Sequence, residues 1–310
     1  MQGTLKSEVR FEGVGLHTGR PVSICVLPAS AEHGIWFRRT DVAEDAGMIS
    51  ASWDAVQESR LCTLITNQMG TKVSTVEHIM AALAGCGIHN ALVEIDGPEV
   101  PILDGSSAPF VRKFLACGIR ELDAPVRAIQ VLRTIEVKDG DAVARIEPAE
   151  NLYIDFSIDF QDEAIGLQEK SLNLANGAFV HELCDSRTFC RQSDVEAMKN
   201  AGLALGGTYE NAVVVDGPSI LSPGGLRHRD EAVRHKMLDA LGDLALAGAP
   251  IMGRYIGHRA GHAMTNRLLR ALMTDPTAFR MVVCHDETSL RMPGVGVSLA
   301  DAPEKMVKAA

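Results

Sequence analysis

Residues 233–243 read VRHKMLDALGD, a stretch with apolar residues at helical spacing that also carries His235, Lys236, Asp239 and Asp243. On a helix, positions i and i+4 share a face and i+8 stays near it, so His235, Asp239 and Asp243 form one stripe. A histidine and an aspartate four residues apart can reach the same metal ion. The same spacing also occurs on a helix's polar edge, with the histidine at the end of the helix and the acid in water. The flanking segment, RHKMLDALGDLALAGAPI (234–251), loosely resembles EHIMAALAGCGI (77–88) in the first half of the chain. Each follows a run of β-like segments. That points to an α+β protein of two similar halves, each a helical layer on a sheet.

The remaining elements are read from periodicity and turn chemistry. LKSEVRF (5–11) and PVSICVL (21–27) predict strands around the turn GVGLHTG, and TLIT and ALVEI are short β runs. STVEHIMAALAGCG (74–87) predicts a helix capped by Ser74 or Thr75 and stopped by glycine. DGSSAPFVRKFLACG (104–118) predicts a second helix closed by Gly118. Alternating strands around KDGD (138–141) signal a hairpin, and LYIDFSIDF (152–160) another strand. DVEAMKNAGL (194–203) predicts a helix inside a variable insert. The boundary is expected near Asp123 to Pro125: residues 1–124 as one domain, 125–290 as a second, and 291–310 as a tail.

Composition bounds the setting. The chain has 310 residues, is 46% hydrophobic and has a mean hydropathy of +0.06, enough for one large core or two medium ones. No apolar run approaches the roughly 18 residues of a membrane span, so at most a transient membrane-surface contact is expected. The opening MQGTLKSEVRF lacks the apolar segment of a signal peptide. Seven scattered cysteines without C-x-x-C fit a reducing compartment, and the cytoplasm is the expected location. A net charge of −10 argues against nucleic-acid binding. A monomer is expected.

Glu77 and His78 are adjacent, so on a helix they point about 100° apart. One can bind a metal while the other reaches its bound water, a division of labour suited to a zinc hydrolase. HELCD (181–185) fails as a zincin motif because position 185 is aspartate, so His181 reads as structural or surface. His258 and His262 in GHRAGHAMTNRLL are both candidate proton donors that spacing does not separate. His17 reads as a turn residue. A different zinc amidase or a binding module would share parts of this pattern.

The ordered set VGLHTG, STVEHIMAALAGCGIHNALVEIDGPEVPILDGSSAPFV, DSRTFC, GLALGGTYENAVVVDG, GLRHRDEAVRHKMLDALGDL and GHRAGHAMTNRLL resembles the UDP-3-O-acyl-N-acetylglucosamine deacetylases of lipid A biosynthesis, from about residue 3 to 275. The resemblance implies two β-α-α-β sandwich domains, each with an insert. It also implies a Zn²⁺ amidase that releases acetate from UDP-3-O-acyl-GlcNAc. On the matching positions, His78, His235 and Asp239 would be the zinc ligands and Glu77 the general base. His262 would be the general acid with Asp243 as its partner, and Thr188 would stabilise the oxyanion. Lys236 and Phe189 would contact substrate, Asp159 and Phe160 would hold the uracil, and an insert at about 190–214 would form an acyl passage. Within that insert Val195, Met198, Leu203 and Leu205 are candidate lining, with helix core as the alternative. Lys236, Arg234 and Arg259 are candidate cations for the diphosphate. Two positions depart from the pattern: Arg191 stands where many relatives carry an aromatic, and Ala142 where some carry lysine.

Overall fold

The computed structural model describes residues 1–59 and 61–304. It is a mixed α+β fold with two main sheets. The first has five strands in the order Val9–Val14, Pro21–Pro28, Ala91–Ile95, Ile35–Arg39, Met48–Ser50. The second has seven strands, all from residues 127–283. Its centre is Ile251–His258, antiparallel to Ala142–Pro148 on one side and parallel to Leu152–Asp159 on the other. Alternation makes these strands one-sided. In Leu152–Asp159, residues Leu152, Ile154, Phe156 and Ile158 are buried, while Asp155 and Ser157 face outward.

The helices of five residues or more are α1 (Glu77–Gly85), α2 (Ala108–Cys117), α3 (Ala178–Glu182), α4 (Gln192–Asn200), α5 (Glu231–Ala245) and α6 (His262–Met273). Helices α1, α2, α5 and α6 join both sheets in one contiguous apolar core. Nearly every residue of α1 is buried, as is nearly every residue of α5 up to Leu244, because the two helices pack on each other. Gly242 is what lets them meet. A Cβ there would lie 2.0 Å from the Glu77 carbonyl oxygen, so only glycine fits at this crossing.

Each half also carries a small three-stranded insert. One is Val56–Gln57, Leu64–Thr66 and Lys72–Ser74. The other is Phe189–Arg191, Val213–Asp216 and Ser219–Ile220, with α4 between its first two strands. The hairpin at KDGD forms as read, with Asp139 paired to Ala142 around Gly140.

Two local expectations are corrected. The run at 5–11 is split into Gly3–Leu5, which pairs with Ile119–Glu121, and Val9–Val14. The charged and polar residues 6–8 lie between them, exposed. The α1 cap is not Ser74 or Thr75. Ser74 ends a strand, and the N-cap Val76 has no side-chain cap. Thr75 sits at φ 58, a left-handed conformation uncommon for a β-branched residue, and its hydroxyl donates to Glu99 Oε1 (3.0 Å). Residues 291–304 pack against the body: Met292 is buried and Arg112 Nε donates to the Pro303 carbonyl. The last six residues of the expected tail lie outside the described residues.

Candidate active site

The crossing of α1 and α5 brings the first turn of one helix against the middle of the other. His78, His235 and Asp239 are all buried, and their ligand atoms lie within 4.8 Å of one another. His235 Nε2 is 3.3 Å and His78 Nε2 3.6 Å from the same oxygen, Asp239 Oδ1. The two imidazoles stand edge to face with centroids 5.0 Å apart.

His235 Nδ1 lies 3.0 Å from the Ser186 carbonyl, which can only accept a hydrogen bond. Nδ1 therefore carries the proton, and Nε2 presents a lone pair to the carboxylate. Burial outweighs the attraction of Asp239 and lowers the His235 pKa to about 4, so the ring is neutral near pH 7. Burial also opposes ionisation of Asp239. The positive charges of Lys236 and His262 offset it and hold its carboxyl well below the usual range. A neutral nitrogen lone pair thus faces an ionised oxygen, and Asp239 Oδ1 has no hydrogen-bond partner among the described residues. Two acceptors this close in a buried site call for a cation between them. The donor set fits a divalent ion.

The other Asp239 oxygen, Oδ2, accepts from Lys236 Nζ at 2.7 Å. Burial would lower the Lys236 pKa, but Asp239 outweighs it and raises it.

Beside this cluster lies a second group of buried titratable side chains. His262 opens α6 and reaches the cluster, whereas His258 lies on a strand, bonded to Ser157 Oγ (2.8 Å). His262 Nδ1 is 3.0 Å from Asp243 Oδ2, and its Nε2 is 3.7 Å from both Glu77 Oε1 and Asp239 Oδ2. Burial lowers its pKa, but Asp243, Glu77 and Asp239 together raise it to about 9. Burial raises the Glu77 pKa. Glu77 Oε2 accepts the Thr63 N–H (3.0 Å), leaving Oε1 toward His262.

The base of α5 is fixed by a buried ion pair. Arg187 donates to Glu231 through Nε (2.9 Å) and Nη2 (3.1 Å), and the Arg187 and Arg227 N–H groups also donate to that carboxylate. This holds the segment 186–189 against α5, placing the Ser186 carbonyl on His235 and the Phe189 ring 6.3 Å from it.

Two cavities flank the cluster. One, of about 390 Å³, is lined by Ile158, Asp159, Phe160, Gln161, Lys236, Arg259 and Ala260. Asp159 is paired there with Arg259. The second, of about 190 Å³, is mainly apolar and runs into the insert past Thr188, Phe189, Val195 and Met198. Phe160 and Phe189 stack edge to face at 5.4 Å where the two cavities approach each other.

Of the candidate linings, Leu203 and Leu205 are not in the second cavity. Leu205 is 53% exposed and lies over Gly19. Arg234 does not reach the first cavity. Two residues before Lys236, and so about 200° round the helix, it binds Asp230 (2.6 Å) and Glu182 (2.9 Å). Arg191 is not part of the lining of the second cavity; it bonds Asp162 (2.6 Å).

Thr63, Ser186, Glu99 and His17 also lie at or beside the cluster and its cavities, and sequence spacing marks none of them. His17 does lie in a turn, but it also lines the second cavity, and its buried Nε2 has no partner among the described residues. Glu99 holds that turn by accepting the His17 and Thr18 N–H groups at 2.8 Å each. None of these contacts is encoded in local spacing.

Comparison with known proteins matches residues 2–274 to the family model described as UDP-3-O-acyl N-acetylglycosamine deacetylase. A UDP-3-O-acyl-N-acetylglucosamine deacetylase of Phenylobacterium zucineum (strain HLK1) is 50% identical over 280 residues, 90% of this chain and 96% of the relative. The deacetylase of Haemophilus influenzae (strain 86-028NP) is 42% identical over 92% of this chain and 94% of its own length. That of Shewanella frigidimarina (strain NCIMB 400) is 41% identical over 94% and 97%.

Proposed function

The chain belongs to the UDP-3-O-acyl N-acetylglycosamine deacetylase family, and from that premise we propose a zinc amidase built on the α1–α5 crossing. It hydrolyses the 2-acetamido group of UDP-3-O-acyl-N-acetylglucosamine, releasing acetate, in lipid A biosynthesis. The observation that carries the metal reading is the unpartnered Asp239 Oδ1 facing the Nε2 lone pair of His235 at 3.3 Å, with His78 Nε2 at 3.6 Å. Two imidazoles and one carboxylate, leaving a further position open, are a catalytic zinc donor set.

When bound, zinc lowers the pKa of a coordinated water toward about 7 and polarises an amide oxygen. The chain's own residues manage the protons. Glu77 Oε1, the oxygen not engaged by Thr63, takes the proton of the attacking water. His262, held protonated by Asp243, gives the proton from Nε2 to the departing nitrogen. The Thr188 hydroxyl, at the head of the apolar cavity, donates to the developing oxyanion. Lys236 keeps Asp239 ionised and presents its ammonium to the sugar side of the larger cavity.

The larger cavity takes the nucleotide, with the Phe160 ring and Asp159 beside the uracil and Arg259 toward the diphosphate. The apolar cavity takes the 3-O-acyl chain, with Val195 and Met198 on its wall. The two domains divide near residue 124, and each supplies part of the metal site. No helix among the described residues is long and apolar enough to cross a membrane. All seven cysteines are free thiols, which supports a cytoplasmic setting.

The test is acetate release from UDP-3-O-acyl-GlcNAc across acyl lengths, with and without a chelator and with zinc content measured. Chelator-sensitive turnover is expected. Zinc binding without sugar deacetylation would point to a different amidase, and turnover unaffected by complete metal removal would refute the zinc reading.

A further inference from the structure

Thr63 lies between the two carboxylates that flank His262. It is 1% exposed and just precedes the insert strand Leu64–Thr66. Its N–H donates to Glu77 Oε2 (3.0 Å), and its hydroxyl makes a short hydrogen bond to Asp243 Oδ1. Its carbonyl accepts the N–H of Val76, the residue before Glu77 (3.3 Å). Each carboxylate is therefore shared in the same way. One oxygen is held by Thr63, and the other faces His262, with Asp243 Oδ2 on Nδ1 and Glu77 Oε1 toward Nε2.

The direction of the hydroxyl is fixed by Asn266. Its Nδ2 is 2.9 Å from the His262 carbonyl, which can only accept, so the amide nitrogen faces that way. The same nitrogen is 3.3 Å from Thr63 Oγ1. The hydroxyl accepts from Asn266 and must give its single proton to Asp243. Sequence offered no sign of this: Thr63 is 14 residues from Glu77 and 180 from Asp243.

We propose that Thr63, oriented by Asn266, is a positioning residue that holds Glu77 and His262 in register for proton transfer. This rests on the reading of Glu77 and His262 as base and acid. Thr63 touches neither substrate nor metal; it acts by fixing which oxygen of each carboxylate is free.

Thr63→Val keeps the shape and the backbone bonds and removes only the hydroxyl. Supporting residues around a catalytic metal centre typically contribute about 10–100-fold, and a loss of kcat of that order is expected, with KM and zinc content unchanged. Thr63→Ser, which keeps the hydroxyl, should restore most of kcat. Asn266→Ala, where the orienting donor is lost, should lower kcat by about 2–10-fold, the scale of one hydrogen bond. This second variant keeps the test open should Thr63→Val fail to fold.

A merely structural role would lower the melting temperature of Thr63→Val while leaving kcat per zinc-loaded molecule intact. That result would overturn the inference. So would a serine variant as impaired as the valine one, zinc loss in Thr63→Val, or wild-type kcat in Asn266→Ala. The underlying reading is checked separately with Glu77→Ala and His262→Ala. If both abolish turnover while Thr63→Val does not, only the role of Thr63 falls. If neither does, the acid–base assignment falls with it.

Discussion

Replacing Gly242 with alanine should damage the metal site, against the usual sign of that substitution. In a helix interior, Gly→Ala is ordinarily favourable by about 1 kcal/mol. Here the added Cβ would meet the Glu77 carbonyl oxygen at 2.0 Å, its carbon at 2.8 Å and its Cα at 3.0 Å. These are backbone atoms, so no rotamer change relieves the clash. Reaching ordinary contact at 3.4 Å requires α1 and α5 to part by about 1.4 Å. Overpacking of this kind costs about 1–3 kcal/mol. Net of the propensity gain, a loss of up to about 2 kcal/mol is expected, a fall in Tm of up to roughly 6 °C.

The functional loss should be larger. His78 rides on α1, and His235 and Asp239 ride on α5. Metal–ligand distances tolerate only about 0.2 Å, and a 1 Å misplacement of reacting groups can cost about 10²-fold. The assays are zinc content after dialysis, calorimetric Tm and steady-state deacetylation. Gly242→Ala that gains Tm by the propensity increment, holds stoichiometric zinc and turns over normally would show that this close crossing does not set the site.

Further outcomes follow from the same geometry. His78→Ala and His235→Ala should each lose zinc together with activity; stoichiometric zinc in both, measured by elemental analysis, would remove them as ligands. Asp243→Asn should keep zinc and shift the basic limb of the kcat/KM profile to lower pH by about 1–2 units. The sign follows because Asp243 raises the His262 pKa, and the acid form is lost as pH rises through it. Bound zinc lowers that pKa in both proteins, so the difference between their profiles is the quantity to read; an unmoved limb would refute the pairing. Arg187→Met leaves Glu231 buried and unpaired in a site where the two side chains are 6% and 1% exposed. A loss of about 3–5 kcal/mol in denaturant-derived stability is expected, and a loss under about 1 kcal/mol would show that the pair does not anchor α5.

Much of the site was legible in the order of residues because a helix has a fixed period. His235, Asp239 and Asp243 were placed on one stripe by their four-residue spacing, and the chain folds that stretch as a helix spanning Glu231–Ala245. The strand alternation of Leu152–Asp159 and the KDGD hairpin were readable for the same reason: their signals are local. The matched motifs then named the partners of that stripe, something periodicity alone left open between His258 and His262.

What only the tertiary structure decided are contacts whose partners lie far apart in the chain. Nothing near Thr63 predicts that its hydroxyl meets Asp243, nor does anything near Ser186 predict that its carbonyl fixes the tautomer of His235. Arg234 looked available as a cation but is spent on Asp230 and Glu182, because it sits two residues before Lys236 and so about 200° round the helix from it. Nothing in the local sequence marks Gly242; what requires it is α1 lying against it. A helix period fixes which residues share a face. The neighbour that face meets is set by how the whole chain packs, and that is where the charge state and geometry of the site are determined.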